Sequence, residues 1–198
     1  MPEGGDCGGR RYSTGEVLLD NLPYVAMLAL GAGIAVLATP AAAASWGPAA
    51  AAGYVAYGIA GSFWIILFVC PFCPSYGSGM CPCGYGGIAA RLRKRRDPSL
   101  FTRKFKRNIP ILFPLWLAPP AYAGWALWRE FSWSMTGLLA GFCAVAFVVL
   151  PLYARHGCER CPQREACPWM KAGDGVVAAP EELPSPREAP VSVPAEEE

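Results

Sequence analysis

The chain contains one uncharged stretch, residues 21–90, that reads NLPYVAMLALGAGIAVLATPAAAASWGPAAAAGYVAYGIAGSFWIILFVCPFCPSYGSGMCPCGYGGIAA. Across all 198 residues, 54% are hydrophobic and 16% are charged, whereas an average soluble domain has about 25% charged residues. A soluble surface needs charged side chains more often than this stretch supplies them. The sequence therefore predicts an integral membrane protein rather than an ordinary soluble enzyme.

Four transmembrane helices are predicted, because a helix needs about 20 mostly apolar residues to cross the hydrocarbon core. The predicted spans cover residues 22–44, 49–70, 109–128 and 131–154. Ser45-Trp46-Gly47-Pro48 separates the first pair, and the charged Arg129-Glu130 separates the second. The predicted fold class is all-α, an integral membrane four-helix bundle made of two helical hairpins.

The spans divide the chain into four predicted regions. Residues 1–21 form an N-terminal cytoplasmic segment, and residues 22–154 form the transmembrane domain, including a Cys-rich and basic cytoplasmic loop at 71–108. Residues 155–171 carry a second cysteine motif. Residues 172–198 are rich in Ala, Pro, Val and Glu and lack aromatic residues, which predicts a disordered tail.

The third predicted span is rich in proline, with Pro110, Pro114, Pro119 and Pro120. A proline inside a helix cannot donate to the carbonyl four residues before it. Such a helix is tolerated in a membrane where neighbouring helices satisfy the freed carbonyls. We therefore expect this span to be kinked and irregular, with neighbouring helices satisfying its freed carbonyls.

Orientation is predicted from the basic residues, since short loops rich in Lys and Arg stay in the cytoplasm. With four spans, 16 of the 17 basic residues lie on one side and only Arg129 lies on the other. This predicts a multi-pass protein of the inner (cytoplasmic) membrane with both termini in the cytoplasm. An alternative is cleavage of an N-terminal secretory signal near Ala44 and Ser45, which leaves three spans with the same downstream orientation.

The predicted spans contain no acidic or basic residue, so the ionisable groups that mark pumps and many transporters are missing from them. His156 is the single histidine, which excludes a haem b held by two histidines. Chemistry is therefore expected at the membrane surface.

Two cysteine groups follow the second and fourth spans. The first has the spacing C-x2-C-x7-C-x-C, and the second has C-x2-C-x5-C with a histidine two residues ahead. Their members, all predicted metal ligands, are Cys70, Cys73, Cys81, Cys83, His156, Cys158, Cys161 and Cys167. A C-x2-C pair can direct two thiolates at one metal. In a reducing compartment such a set favours metal binding or catalysis over disulfides.

The ligands can be partitioned in two ways. Each group can hold its own four-coordinate centre, or both groups can share a site that joins the second span to the fourth. The sequence leaves both arrangements open. It also leaves open an iron-sulfur cluster, a structural zinc ion with the same thiolate ligands, and a thiol-disulfide or metal-handling pair at Cys70 and Cys73.

Five of the seven clustered cysteines are followed by proline, namely Cys70, Cys73, Cys81, Cys161 and Cys167. Cys-Pro also ends the cysteine runs of bacterial ferredoxins. In these two loops the chain resembles the membrane-bound ferredoxin-like subunits of the NapH and NosR kind. The resemblance implies an iron-sulfur cofactor and electron transfer, although the run C-x2-C-x2-C-x3-C-P is absent and the second group has three cysteines.

The segment between the second and third spans is strongly basic. Phe101 and Phe105, four residues apart among cations, predict a short interfacial helix with its charges on anionic lipid. The predicted membrane-surface residues are Arg91, Arg93, Lys94, Arg95, Arg96, Phe101, Arg103, Lys104, Phe105, Lys106 and Arg107. Docking of an acidic soluble redox partner is an alternative use of this surface, and no nucleic-acid motif accompanies it.

Together these features predict an iron-sulfur accessory or electron-transfer subunit of a membrane redox complex, with lipids and other membrane subunits as partners. A non-catalytic scaffold with structural zinc is the main alternative. No Walker A, GxGxxG or HExxH pattern occurs, so a subunit is favoured over a free-standing enzyme.

Overall fold

The computed structural model describes residues 11–40, 43 and 45–159, with the backbone alone over 156–159. This part of the chain is helical and contains no strand, as predicted. Its α-helices are α1 (Thr14–Leu37), α2 (Trp46–Phe68), α3 (Tyr85–Leu92), α4 (Phe101–Asn108), α5 (Phe113–Arg129), α6 (Trp133–Ala144) and α7 (Leu150–Glu159). Short 3-10 turns cover Cys70–Phe72, Pro98–Leu100 and Ile109–Leu112, and a π-helix, Val145–Val149, joins α6 to α7.

Within the described residues, three helical segments are long and apolar enough to cross a membrane: Thr14–Leu37, Trp46–Phe72 and Trp133–Arg155. In the most apolar window of Trp133–Arg155, only 17% of the residues are buried inside the protein. Large apolar side chains such as Leu18, Leu117 and Leu152 are more than half exposed. An apolar exterior is what a bilayer, rather than water, accommodates.

Three of the four predicted spans correspond to helices long and apolar enough to cross a membrane, and the predicted four-helix bundle is not confirmed. In the third predicted span, 109–128, the chain begins with the 3-10 turn Ile109–Leu112, and the regular helix α5 has 17 residues. Pro110 and Pro114 are the second residues of this turn and of α5. A backbone N–H at this position has no partner within the helix, so a proline there loses no hydrogen bond. The prolines therefore shorten the α-helix to about 26 Å.

The first helix begins earlier than predicted. The N-terminal segment was expected to extend to residue 21, but α1 starts at Thr14. Ser13 forms a capping box with Glu16, in which each side chain accepts a backbone hydrogen bond of the other residue. This cap satisfies two free N–H groups of the first turn, so the helix starts before the apolar stretch does.

The fourth predicted span is one continuous helical segment with an irregular centre. Pro151 cannot donate to the carbonyl of Phe147, which lies four residues before it. Immediately upstream, the Leu150 N–H donates to the Val145 carbonyl in the wider π register. The π-helix accommodates the proline without ending the span.

The helix α1 lies at the centre of the bundle and contacts α2, α5, α6 and α7. Met27 and Ile34 of α1 are fully buried, as are Ala123 of α5 and Phe142 of α6. These side chains belong to one apolar cluster. The first predicted span is therefore the element against which the others pack.

The bundle has two chemically different ends. The α1–α2 turn and the α5–α6 turn line one cavity of about 400 Å³, which contacts Thr39, Trp125 and Arg129. Trp128 is 91% exposed and Trp133 is 80% exposed at this end, as expected of interfacial tryptophans. The opposite end carries the start of α1, the cysteine loop after α2, and the basic helix α4.

Candidate metal centre

The loop after α2, residues 69–84, carries the first cysteine group and folds through successive backbone turns. The Cys73 N–H donates to the Cys70 carbonyl, the Tyr76 N–H to the Cys73 carbonyl, and the Gly84 N–H to the Cys81 carbonyl, each at 3.0 Å. The carbonyls of Cys70, Cys73 and Cys81 thus each close a tight turn. We call residues 69–84 the cysteine loop.

Two close backbone approaches fix the cysteine loop against α3. The Gly77 N–H donates to the Gly86 carbonyl at 3.1 Å. A Cβ atom on Gly86 would lie 2.5 Å from the carbonyl oxygen of Ser75, whose side chain is buried. Gly84 and Gly77 have φ angles of +70° and +73°, which only glycine adopts without strain. The glycines around the cysteines are therefore required by the loop geometry.

The start of α1 packs on the cysteine loop. The Tyr12 N–H donates to the Gly79 carbonyl at 2.8 Å, and the Asn21 side-chain amide donates to the Cys83 carbonyl at 3.2 Å. Val17 fills the space beside Gly84. The N-terminal residues thus form one wall of the candidate site, which the sequence did not indicate.

The four cysteine side chains of the loop are neighbours. Cys70 lies close enough to Cys81, Cys73 and Cys83 to interact electrostatically with each. Cys70, Cys73 and Cys81 are half-buried, and Cys83 is exposed. Among the described residues, no three His, Cys, Asp or Glu side chains are placed to hold a metal ion. The fold therefore collects the predicted ligands on one loop but does not arrange them as a coordination shell.

The donor chemistry of this loop fits a soft metal. Thiolates are the ligands that zinc and iron-sulfur clusters use, and three of the four side chains are partly shielded from solvent. Cys70 directly follows Val69, the C-terminal cap of α2. The carbonyl end of a helix carries a partial negative charge and favours a cation. Gathering the four sulfur atoms around a metal requires rotation of side chains on a backbone that is already folded.

The second cysteine group is only partly described. The backbone of His156 and Cys158 lies in α7, and the predicted ligands Cys161 and Cys167 fall outside the described residues. The helical segment from Trp133 to Glu159 rises about 40 Å, so α7 ends at the same end of the bundle as the cysteine loop. Both partitions, a separate centre for each group and one site shared by the two, remain predictions.

Tyr85, the first residue of α3, lies beside the cysteine loop. It interacts electrostatically with Cys83 and Cys70, and burial raises the pKa of its hydroxyl to about 12. Burial thus favours the neutral hydroxyl further, and this neighbour adds no negative charge beside the thiols. The available signal for this neighbour was its position two residues after Cys83.

The predicted interfacial helix is present as α4. Phe101 and Phe105 lie on one side with ring centroids 5.8 Å apart. Arg91 lies in the last turn of α3 and Arg93 caps its end. The other predicted surface cations are Lys94, Arg95 and Arg96 in the α3–α4 connection and Arg103, Lys104, Lys106 and Arg107 on α4. The short amphipathic helix was correctly predicted; its contact with lipid stays a prediction.

A cavity of about 410 Å³ lies between the end of α2 and the basic segment. We call it the basic cavity; it is lined by Trp64, Leu67, Phe68, Phe72, Arg93, Arg96, Lys104, Arg107 and Asn108. The sequence predicted the four cations of the cavity but not the aromatic side chains that line it, Trp64, Phe68 and Phe72, which we call its aromatic floor. The available signal was the four-residue spacing of Trp64, Phe68 and Phe72, which places aromatic rings along one side of a helix.

The fold and the site define a class: an all-helical membrane protein with a cysteine loop and a basic cavity at one end of its bundle. No protein-family model matches the sequence, and no curated protein or solved structure is significantly similar to it. The likeness to ferredoxin-like membrane subunits therefore rests on the cysteine loops alone.

Proposed function

We propose that this protein holds a cysteine-ligated metal centre at one membrane face and serves as an iron-sulfur accessory or electron-transfer subunit of a membrane redox complex. The observation that carries the proposal is the cysteine loop, which places Cys70 within electrostatic reach of Cys73, Cys81 and Cys83. The centre lies at the membrane surface, so electrons can pass between a soluble donor and a membrane-embedded partner.

The proposed topology has four spans and cytoplasmic termini. The 3-10 turn and α5 together rise about 34 Å, which is enough to cross the hydrocarbon core. The grouping of the α1–α2 and α5–α6 turns around one cavity supports this topology, since both turns then face the same side. The basic segment, with nine cations between residues 91 and 107, faces the cytoplasm.

A protease-site insertion tests this topology. In intact bacterial spheroplasts, we expect external protease to cut a site inserted after Glu130 and to spare the same site inserted after Arg95. After permeabilisation both sites are cut. Cleavage of both insertions in intact spheroplasts, or protection of both, means that α5 does not cross the membrane.

Anaerobic purification of the full-length protein tests the metal centre. We expect bound iron, acid-labile sulfide and a reducible signal in electron paramagnetic resonance. Replacing Cys81 with serine is expected to abolish most of the bound metal, because one thiolate of the set is lost. Cys143 lies mid-helix and packs on the apolar core, so Cys143→Ser is the matched control and keeps its metal. Equal metal content in both variants excludes the cysteine loop as the centre.

A structural zinc ion is the second candidate. The cysteine loop holds the start of α1 through the Tyr12 and Asn21 hydrogen bonds, and a metal there fastens α1, α2 and α3 together. In that case the purified protein contains zinc, lacks visible absorption and a reducible signal, and loses thermal stability when chelated. This result overturns electron transfer and leaves a membrane scaffold.

A further inference from the structure

The basic cavity has a charged rim and an aromatic floor. Arg93 lies over the ring of Phe68 with 5.7 Å from its guanidinium carbon to the ring centroid. Arg96 and Lys104 lie 6.0 Å and 5.4 Å from the ring centroid of Phe72. These cation–π contacts hold the cationic heads beside one another at the edge of an apolar surface.

The cavity has a strong charge imbalance. Arg107 joins the other three cations on the rim, and none of the described residues that line the cavity is acidic. Asp97, the one acid of the basic segment, accepts hydrogen bonds from the Ser99 hydroxyl at 2.7 Å and the Ser99 N–H at 2.9 Å. It caps its own turn and does not line the cavity. Four neighbouring cations repel one another, and an anion between them relieves this repulsion.

The floor of the cavity continues along α2. Trp64 donates its indole N–H to the Asn108 side-chain oxygen at 3.0 Å and packs on Phe68 with ring centroids 4.3 Å apart. Tyr57, seven residues before Trp64, lies on the same side of the helix. All three aromatic side chains are 37–40% exposed. An apolar strip therefore leads from the cations towards the middle of the span.

We infer that the basic cavity binds one anionic phospholipid, with the phosphate among Arg93, Arg96, Lys104 and Arg107 and an acyl chain along Tyr57, Trp64 and Phe68. A charged head above an apolar strip matches an amphiphile better than it matches a free anion, which needs no apolar strip. None of the lining residues is a proposed metal ligand, although Phe72 lies in the cysteine loop between Cys70 and Cys73.

Native mass spectrometry of the full-length protein in a neutral detergent tests this site, with phosphatidylglycerol as the probe. We expect one phosphatidylglycerol to remain bound per protein. In the double variant Arg96→Gln with Lys104→Gln, affinity falls about thirtyfold, because two cations that attract the anionic headgroup are lost. The matched control, Arg95→Gln with Lys106→Gln, removes the same charges from outside the cavity and keeps the binding.

Two further measurements decide between this site and its alternatives. Asn108→Asp keeps an acceptor for Trp64 but adds a negative charge to the cavity, so it is expected to weaken binding in a protein that still folds. Inorganic phosphate at millimolar concentration is expected not to displace the lipid. Equal loss in both double variants shows diffuse attraction to the whole segment, and full displacement by phosphate shows a free-anion site; either result overturns the inference.

Discussion

Replacing Gly86 with alanine is expected to destabilise the cysteine loop more than any other single-methyl change near it. The added Cβ would lie 2.5 Å from the Ser75 carbonyl oxygen and 3.4 Å from the Cβ of Cys81. The nearest atom belongs to the backbone, so it cannot rotate away. Overpacking of this kind costs about 1–3 kcal/mol. We expect a lower midpoint of thermal unfolding in detergent and faster reaction of the cysteines with maleimide.

The adjacent glycine provides the control. Gly87→Ala adds the same methyl group to the same helix, and its Cβ has no neighbour within 4 Å. Because alanine favours a helix over glycine, this variant is expected to be neutral or more stable by up to about 1 kcal/mol. If Gly86→Ala and Gly87→Ala unfold at the same temperature and react equally, the close approach of α3 to Ser75 does not support the loop.

The sequence predicted the parts of the fold that depend on composition. Residues 21–90 carry no charge, and an α-helix satisfies its backbone hydrogen bonds internally in a membrane. The short helix around Phe101 and Phe105 was found because it has a local signal. The break predicted at Ser45-Trp46-Gly47-Pro48 was placed too far along the chain, since α1 ends at Leu37 and α2 begins at Trp46. The start of α1 was misplaced because the capping box of Ser13 and Glu16 lies before the uncharged stretch that set the predicted span.

The candidate site was predicted only in part, because ligand spacing lies in the sequence and tertiary contacts do not. The C-x2-C and C-x-C spacings indicated that the cysteines act together. They could not indicate that Asn21 of α1 binds the Cys83 carbonyl, 62 residues away. The aromatic floor of the basic cavity was missed for the same reason: Trp64 and Asn108 meet only when α2 and α4 pack.

The third predicted span was expected to need help from a neighbouring helix, and Tyr54 of α2 provides it. Pro119 has no N–H to donate to the Leu115 carbonyl. The Tyr54 hydroxyl donates to that carbonyl at 2.9 Å, and Leu115 is 1% exposed. The carbonyl is therefore satisfied from another span, where neither water nor its own helix can do so.

Replacing Gly31 with alanine is expected to remove this support. A Cβ on Gly31 would lie 2.4 Å from the Tyr54 ring and 2.6 Å from its hydroxyl oxygen. The ring must move, and the hydroxyl then leaves the Leu115 carbonyl. Overpacking and an unsatisfied buried carbonyl each cost about 1–3 kcal/mol, so we expect a clear drop in the midpoint of thermal unfolding. Gly53→Ala, next to Tyr54 but with no neighbour within 4 Å of the added Cβ, is the control and should not unfold earlier.

Tyr54→Phe separates the two causes, since it keeps the ring and removes only the hydroxyl. It is expected to destabilise the bundle by the cost of the unsatisfied carbonyl alone, about 1–3 kcal/mol. The double variant with Gly31→Ala should be destabilised by less than the sum of the two single-variant effects, because both changes break the same hydrogen bond. Full additivity would mean that the alanine displaces the ring without breaking the bond. The hydrogen bond joins α2 to α5, and Gly31 of α1 packs against the Tyr54 ring. Its loss therefore weakens the packing of the proline-rich helix α5 against the bundle.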